Sequence, residues 1–168
     1  MPELTPTDRL QPSLLDRLTD DQPHRRQESR EQRVLSLRKL RAAVVRDLAW
    51  LLNTGPLTAV RDLSAYPFVE TSVLNYGGPD LAGVSGSSID VGQLEREIRE
   101  AIVRFEPRLI PSTVRIAAVV GDEQMSQRTL TLEIEAALWA QPVPEQLFLR
   151  TEVDLETGEV DVQEQGHG

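Results

Sequence analysis

The sequence predicts an α+β fold, with helices packed on one face of a small, mainly antiparallel sheet. Three observations carry this. Between Val91 and Phe105 apolar residues recur at three and four, the spacing of a helix with one buried stripe. From Val114 onward they recur at two, the spacing of half-buried strands. Pro107 stands between the two regimes and cannot continue a helix, so the change is abrupt.

The helix over about 90–105 has the clearest signals. Asp90 suits the N-cap and Gln93 stands three residues on, the spacing of a capping box. Ile89 and Leu94 occupy the places of a hydrophobic staple. Val91, Leu94, Ile98, Ile102 and Phe105 form the stripe, and Glu95, Arg96, Glu97, Arg99 and Glu100 fill the other face. The helix is expected to stop near Phe105 and to present Glu106-Pro107-Arg108 at its exit.

Before it, residues 1–12 are polar and Pro-rich, the composition of a disordered segment. Ser13 to Leu18 suits one or two helical turns, with Ser13 as cap and Asp16 in the first turn. Leu14, Leu15 and Leu18 in so short an element need a surface to cover, either this domain's own core or another protein. Thr19 to Arg33 lacks any apolar residue and reads as a solvated linker. A long helix is expected from about Gln32 to Asn53, with Leu37, Leu40, Val44, Leu48 and Leu51 as its stripe. Asn53-Thr54-Gly55-Pro56 stops it. Arg38, Lys39, Arg41 and Arg46 make its outer face basic against Asp47 alone, either as a solvated face or to meet an acidic partner. Trp50 is placed in the core or at its rim. The stretch Leu57 to Gly86, broken by prolines and glycines, is long for a connector and reads as a binding loop, with a sharp turn at Asn75-Tyr76-Gly77-Gly78-Pro79.

After Pro107 four strands are expected. Val114, Ile116, Ala118 and Val120 alternate along the first, and Leu130 to Leu138 along the second, with Thr131, Glu133, Glu135 and Trp139 on its other face. Leu147, Leu149, Thr151 and Val153 alternate along the third. A hairpin at Glu156-Thr157-Gly158, with glycine where a left-handed residue is needed, returns a short fourth strand over Glu159 to Val162. This gives a flexible arm over 1–33 with a short helical segment at 13–18, one α+β domain over 34–163, and a disordered tail over 164–168. The edge of such a meander can accept a strand from another chain.

The composition excludes several classes. A chain of 168 residues is one domain with an arm, and its net charge of −9 disfavours nucleic acid and anionic membrane surfaces. It has no cysteine, hence neither disulfide nor thiolate chemistry. Its two histidines, His24 and His167, lie in polar end segments, which leaves no histidine-based triad or metal cluster. Gly83-Val84-Ser85-Gly86 misses the spacing of a nucleophile elbow, and Gly77-Gly78 is no phosphate loop. With 27 acidic residues, some carboxylate pair will be close by chance, so such a pair signals nothing. No enzyme, cofactor or metal is expected. The start of the sequence lacks the apolar core of a signal peptide and no run is long enough to span a membrane, so a cytoplasmic location is expected.

Several short pieces, in order, carry a resemblance. They are Ser13-Leu14-Leu15-Asp16-Arg17-Leu18, Asp47 to Thr54, Ser72-Val73-Leu74-Asn75-Tyr76-Gly77, Phe105-Glu106-Pro107-Arg108, Leu138-Trp139-Ala140 with Pro142-Val143-Pro144-Glu145, and Asp154 to Gly158. Across about 13–160 the chain resembles the TssE family, baseplate subunits of bacterial type VI secretion systems. That family is similar to the baseplate wedge protein of contractile phage tails, once labelled a lysozyme. Gly78 departs from the pattern, where a bulkier residue is expected. The resemblance implies a wedge-like fold similar to the interlocking domain of sheath proteins, and a structural role in starting the contractile sheath. It implies TssF, TssG and TssK as baseplate partners and TssB/TssC as sheath partners. It implicates Glu106, Pro107 and Arg108 in docking, and places Leu14, Leu15, Leu18, Asn75, Tyr76 and Gly77 in matching segments as candidate protein contacts. The alternative is a peptidoglycan hydrolase, a muramidase, as the old label suggests. For Glu106-Pro107-Arg108 the plainer alternative is a helix stop, with Arg108 bonding the last helical carbonyls. As an exposed pair, Glu106 and Arg108 are expected to add only about 0–1 kcal/mol to stability.

Overall fold

The two apolar spacings meet in one interior. The computed structural model describes residues 13–19, 24, 37–83, 90–119, 129–140 and 144–165. Its elements are helices α1 (Leu14–Leu18), α2 (Leu37–Leu52), α3 (Pro67–Glu70) and α4 (Val91–Phe105), then strands β1 (Arg115–Val119), β2 (Thr129–Leu138), β3 (Glu145–Asp154) and β4 (Val160–Glu164). The strands form one antiparallel meander in the order β1-β2-β3-β4, and α2 and α4 cover one face. The predicted α+β architecture is the observed one.

Each stripe faces the same core. Leu40, Val44, Leu48 and Leu51 of α2 and Leu94, Ile98 and Ile102 of α4 pack on Leu132, Ile134, Leu138, Leu147, Leu149 and Val153 of the sheet. Leu37, predicted on the stripe, is exposed at the first residue of α2. The predicted start of α2, the staple residue Ile89 and Val120 lie outside the described residues. Asp90 caps α4 by accepting the N–H of Gln93 at 3.0 Å. The reciprocal half of the capping box is not used, since the Gln93 amide instead donates to Glu97 at 2.7 Å.

Two sheet details differ from expectation. The fourth strand runs to Glu164 rather than Val162, held by Gln165 N–H donating to the Phe148 carbonyl at 2.9 Å. The basic face of α2 is not simply solvated. Arg41 pairs with Glu164 and donates to the Gln146 carbonyl at 3.0 Å, tying α2 to the last two strands. The hairpin before β4 is as predicted, with Gly158 at φ +76° and Asp154 accepting the N–H of Glu156 at 2.8 Å.

Both sheet edges are partly occupied by the chain's own side chains. In an antiparallel pair, alternate residues turn their N–H and C=O away from the neighbour. The Asp154–Glu159 bond of 2.9 Å fixes the phase, so Val160 faces outward, and Asn53 takes both of its groups. Asn53 Oδ1 accepts the Val160 N–H at 2.9 Å, and its Nδ2 donates to the Val160 carbonyl at 2.7 Å. At the other edge, Glu95 accepts the Ala118 N–H at 2.8 Å and Arg99 donates to the Val114 carbonyl at 3.1 Å.

Candidate docking site at the exit of helix α4

Helix α4 ends because Pro107 supplies no N–H and restricts the residue before it. Glu106 leaves helical geometry at φ −116°, ψ 82°, while its N–H still donates to the Ile102 carbonyl. That geometry turns the Glu106 side chain inward, where it is only 4% exposed. Arg108 follows it. The Arg108 backbone N–H donates to Glu106 Oε1 at 3.0 Å, its Nε to the same oxygen at 2.7 Å, and its Nη2 to Oε2. This is a fork-on-carboxylate pair, the strongest ionic geometry available to arginine.

The expectation of an exposed Glu106–Arg108 pair is therefore corrected. A buried carboxylate needs its cation, and removing either member leaves an uncompensated charge. Of the plainer alternative, the helix stop at Pro107 is observed, whereas Arg108 gives its Nε and Nη2 to carboxylates and not to the last helical carbonyls. Burial pulls the Arg108 guanidinium toward losing its proton, but the Glu106 and then the Asp47 contacts outweigh it and hold the proton more firmly than usual.

The pair continues into a line of alternating charges. Arg108 Nη2 lies 2.6 Å from Asp47 Oδ2, and Asp47 Oδ1 accepts from Arg46 Nε at 2.8 Å. Arg46 Nη1 reaches Asp16 Oδ1 at 2.7 Å, and Ser13 Oγ donates to Asp16 Oδ2 at 2.6 Å. Burial pushes the Asp16 carboxyl up, but its bonds from Arg46 and Ser13 and the charges of Arg46 and Arg108 prevail, so it stays below the ordinary aspartate value. Arg46 also stacks over Trp50, 5.0 Å from the ring centre, which places Trp50 at the rim. This line anchors α1 to the body.

Above the line lies an open groove of about 450 Å³, lined by Leu15, Trp50, Tyr76, Phe105, Pro107 and Arg108 among others. Tyr76 meets Phe105 edge-on at 5.2 Å and its hydroxyl donates to the Asp47 carbonyl at 3.4 Å. Burial, with the nearby Asp47 and Glu106 charges, raises the Tyr76 hydroxyl above its ordinary value. Arg108 Nη1 is buried without a hydrogen-bond partner. Of the α1 leucines, Leu15 borders the groove, whereas Leu14 and Leu18 are 70% and 73% exposed. The alternative in which all three pack on the domain's own core is thus not realised.

The candidate contact residues accordingly divide. Glu106, Pro107, Arg108, Leu15 and Tyr76 meet at this groove, with Leu14 and Leu18 on the short helix beside it. Asn75 and Gly77 have internal tasks. Asn75 is buried, accepting the Thr58 N–H at 2.9 Å and donating to the Glu70 carbonyl at 3.0 Å. Gly77, at φ +152°, lies so close to the 54–56 turn that a Cβ would stand 2.4 Å from the Thr54 carbonyl oxygen. Sequence reasoning missed Asp47, Arg46 and Asp16 as members of the site. The signal was available in Asp47, the lone acid on the basic face of α2.

Among the described residues, no His, Cys, Asp and Glu group is arranged to hold a metal ion, and no helix is long and apolar enough to cross a membrane. A family model described as baseplate wedge protein gp25 matches residues 38–143, from α2 past the end of β2. The match contains Asp47, Tyr76 and Glu106-Pro107-Arg108, and leaves α1, β3 and β4 outside it. No curated protein and no solved structure matches the chain.

Proposed function

Since the chain belongs to the family of baseplate wedge protein gp25, we propose that it is a TssE-like structural subunit of a type VI secretion baseplate, working in the cytoplasm to start the contractile sheath. The observation that carries the docking part is the groove over Glu106-Pro107-Arg108. It combines a buried arginine–carboxylate pair, an unpaired Arg108 N–H, and aromatic walls beside an exposed leucine-bearing helix. Such a mixture of a desolvated arginine and apolar anchors is typical of high-energy contacts between proteins. The partners in this reading are TssF and TssG in the wedge, then TssK, with TssB/TssC added as sheath. A strand donated by a sheath subunit would join an edge of the meander by displacing the side chains already there.

This reading makes the chain a scaffold and not a muramidase. A sugar hydrolase needs an acid of raised pKa in a sugar-sized cleft, and the one deeply buried carboxylate among the described residues, Glu106, is committed to Arg108.

The test uses Leu14→Ser with Leu18→Ser, because these side chains are exposed and their loss spares the core. The double variant is expected to melt as wild type, to lose co-purification with TssF and TssG, and to stop fluorescent sheath assembly. Normal sheath in this variant removes α1 from the interface. Clearing of peptidoglycan by the pure chain, abolished by one carboxylate substitution, would overturn the scaffold reading.

A further inference from the structure

The segment 57–75 folds as a knot of three short turns: Leu57–Ala59, α3 and Val73–Asn75. The Asn75 side chain clips the first turn to the end of α3 through Thr58 and Glu70, and Arg104 of α4 reaches the Glu70 carbonyl at 3.4 Å. Leu63 is the knot's buried anchor. With so little interior of its own, the knot turns most of its other large apolar residues outward, while Leu57 and Val69 are half-buried. Phe68 is 89% exposed and Val60 83%, and Tyr66, Val73 and Leu74 are exposed as well.

We propose that this knot is a second docking surface, separate from the Arg108 groove, which inserts Phe68 into an apolar pocket of a different baseplate subunit. The proposal rests on the wedge reading for the existence of such a subunit. Three features support docking there of a partner other than a second copy: the size of the patch, the charge of the chain and the fixed backbone. At roughly 100–200 Å² for each side chain, the five residues expose roughly 500–1,000 Å², at or above the upper end for a free monomer. Each copy also carries a net charge of −9, which opposes self-approach. Its backbone is already fixed by the Asn75 clip and by Ser72 capping the Leu74 N–H at 3.2 Å. A fixed knob loses little conformational freedom on binding.

The experiment compares the full chain with its Phe68→Ser and Leu74→Ser variants. Melting temperature, sedimentation from about 10 to 200 μM, and binding to purified TssF–TssG complex are measured, with the Leu14→Ser, Leu18→Ser variant alongside. Each knot variant is expected to melt as wild type and bind at least tenfold more weakly, with a monomeric wild type. Wild-type binding by both knot variants overturns the proposal. If the α1 variant alone loses binding, the knot fails and the wedge reading stands. If wild type does not bind the complex at all, both fail. A dimer of wild type that Phe68→Ser dissolves also overturns it, because the occupant would be a second copy.

Discussion

Asp47 and Arg108 are 61 positions apart in sequence, yet Asp47 Oδ2 and Arg108 Nη2 lie 2.6 Å apart. This contact joins the middle of α2 to the exit of α4, and Glu106 closes it from beneath. Removing one partner of a buried pair costs about 3–5 kcal/mol, and Asp47 cushions the loss for Arg108. Glu106→Ala and Arg108→Ala are each expected to destabilise by about 3 kcal/mol, on the order of 10 °C in a chain of this length. Thermal melts check this, and an unchanged melting temperature would refute it. A joint replacement by apolar side chains, Glu106→Leu with Arg108→Met, is expected to recover much of that loss. It then isolates the docking role from the folding role.

Gly77→Ala is expected to be severe. The new Cβ would meet backbone atoms of Thr54, Gly55 and Pro56 at 2.4 to 2.8 Å, in a turn no side-chain rotation can relieve. Overpacking and backbone strain together predict a loss of about 2–4 kcal/mol. Urea unfolding measures it. A midpoint within error of wild type would mean the 54–56 turn moves aside freely.

The attachment of α1 should depend on acid. Asp16 is held below the ordinary aspartate value, so its folded form binds a proton less readily than its unfolded form. Its contribution is present above that value and is lost as pH falls through the lower, folded value. Protection of the α1 amides from hydrogen exchange is therefore expected to fall below about pH 4 before the sheet opens. Asp16→Asn should show reduced protection already at neutral pH. Protection unaffected by the substitution would show that Leu15 packing alone holds the helix.

Asn53→Ala should expose the β4 edge. It deletes both bonds to Val160 and one to the Ala49 carbonyl. The expected cost is about 1–3 kcal/mol, with faster exchange of the Val160 amide and more self-association through the freed edge. Retention of slow exchange at Val160 would count against the clip.

Much of the fold was legible because it follows from spacing. The stripe of α4, its Asp90 cap, its stop at Phe105, the alternation along β2 and β3, and the Gly158 hairpin are all local consequences of residue type. The site was legible only as a motif. Glu106-Pro107-Arg108 could be located, but not its burial, because burial depends on Asp47 arriving from α2. The same limit applies to the basic face of α2, where Arg41 and Arg46 find carboxylates more than 25 residues away. It applies again to Phe68, whose exposure follows from how few residues the 57–75 knot can enclose.

The side chains that occupy the sheet edges give any strand joining there a particular heat signature. An incoming strand would break bonds to Asn53, or to Glu95 and Arg99, for every backbone bond it makes at those positions. The exchange is nearly balanced in enthalpy, as replacing one hydrogen-bond partner by another generally is. Its driving force then comes from freed side chains and from apolar surface covered elsewhere on the strand. Calorimetry would report it as a small heat with a distinctly negative heat-capacity change.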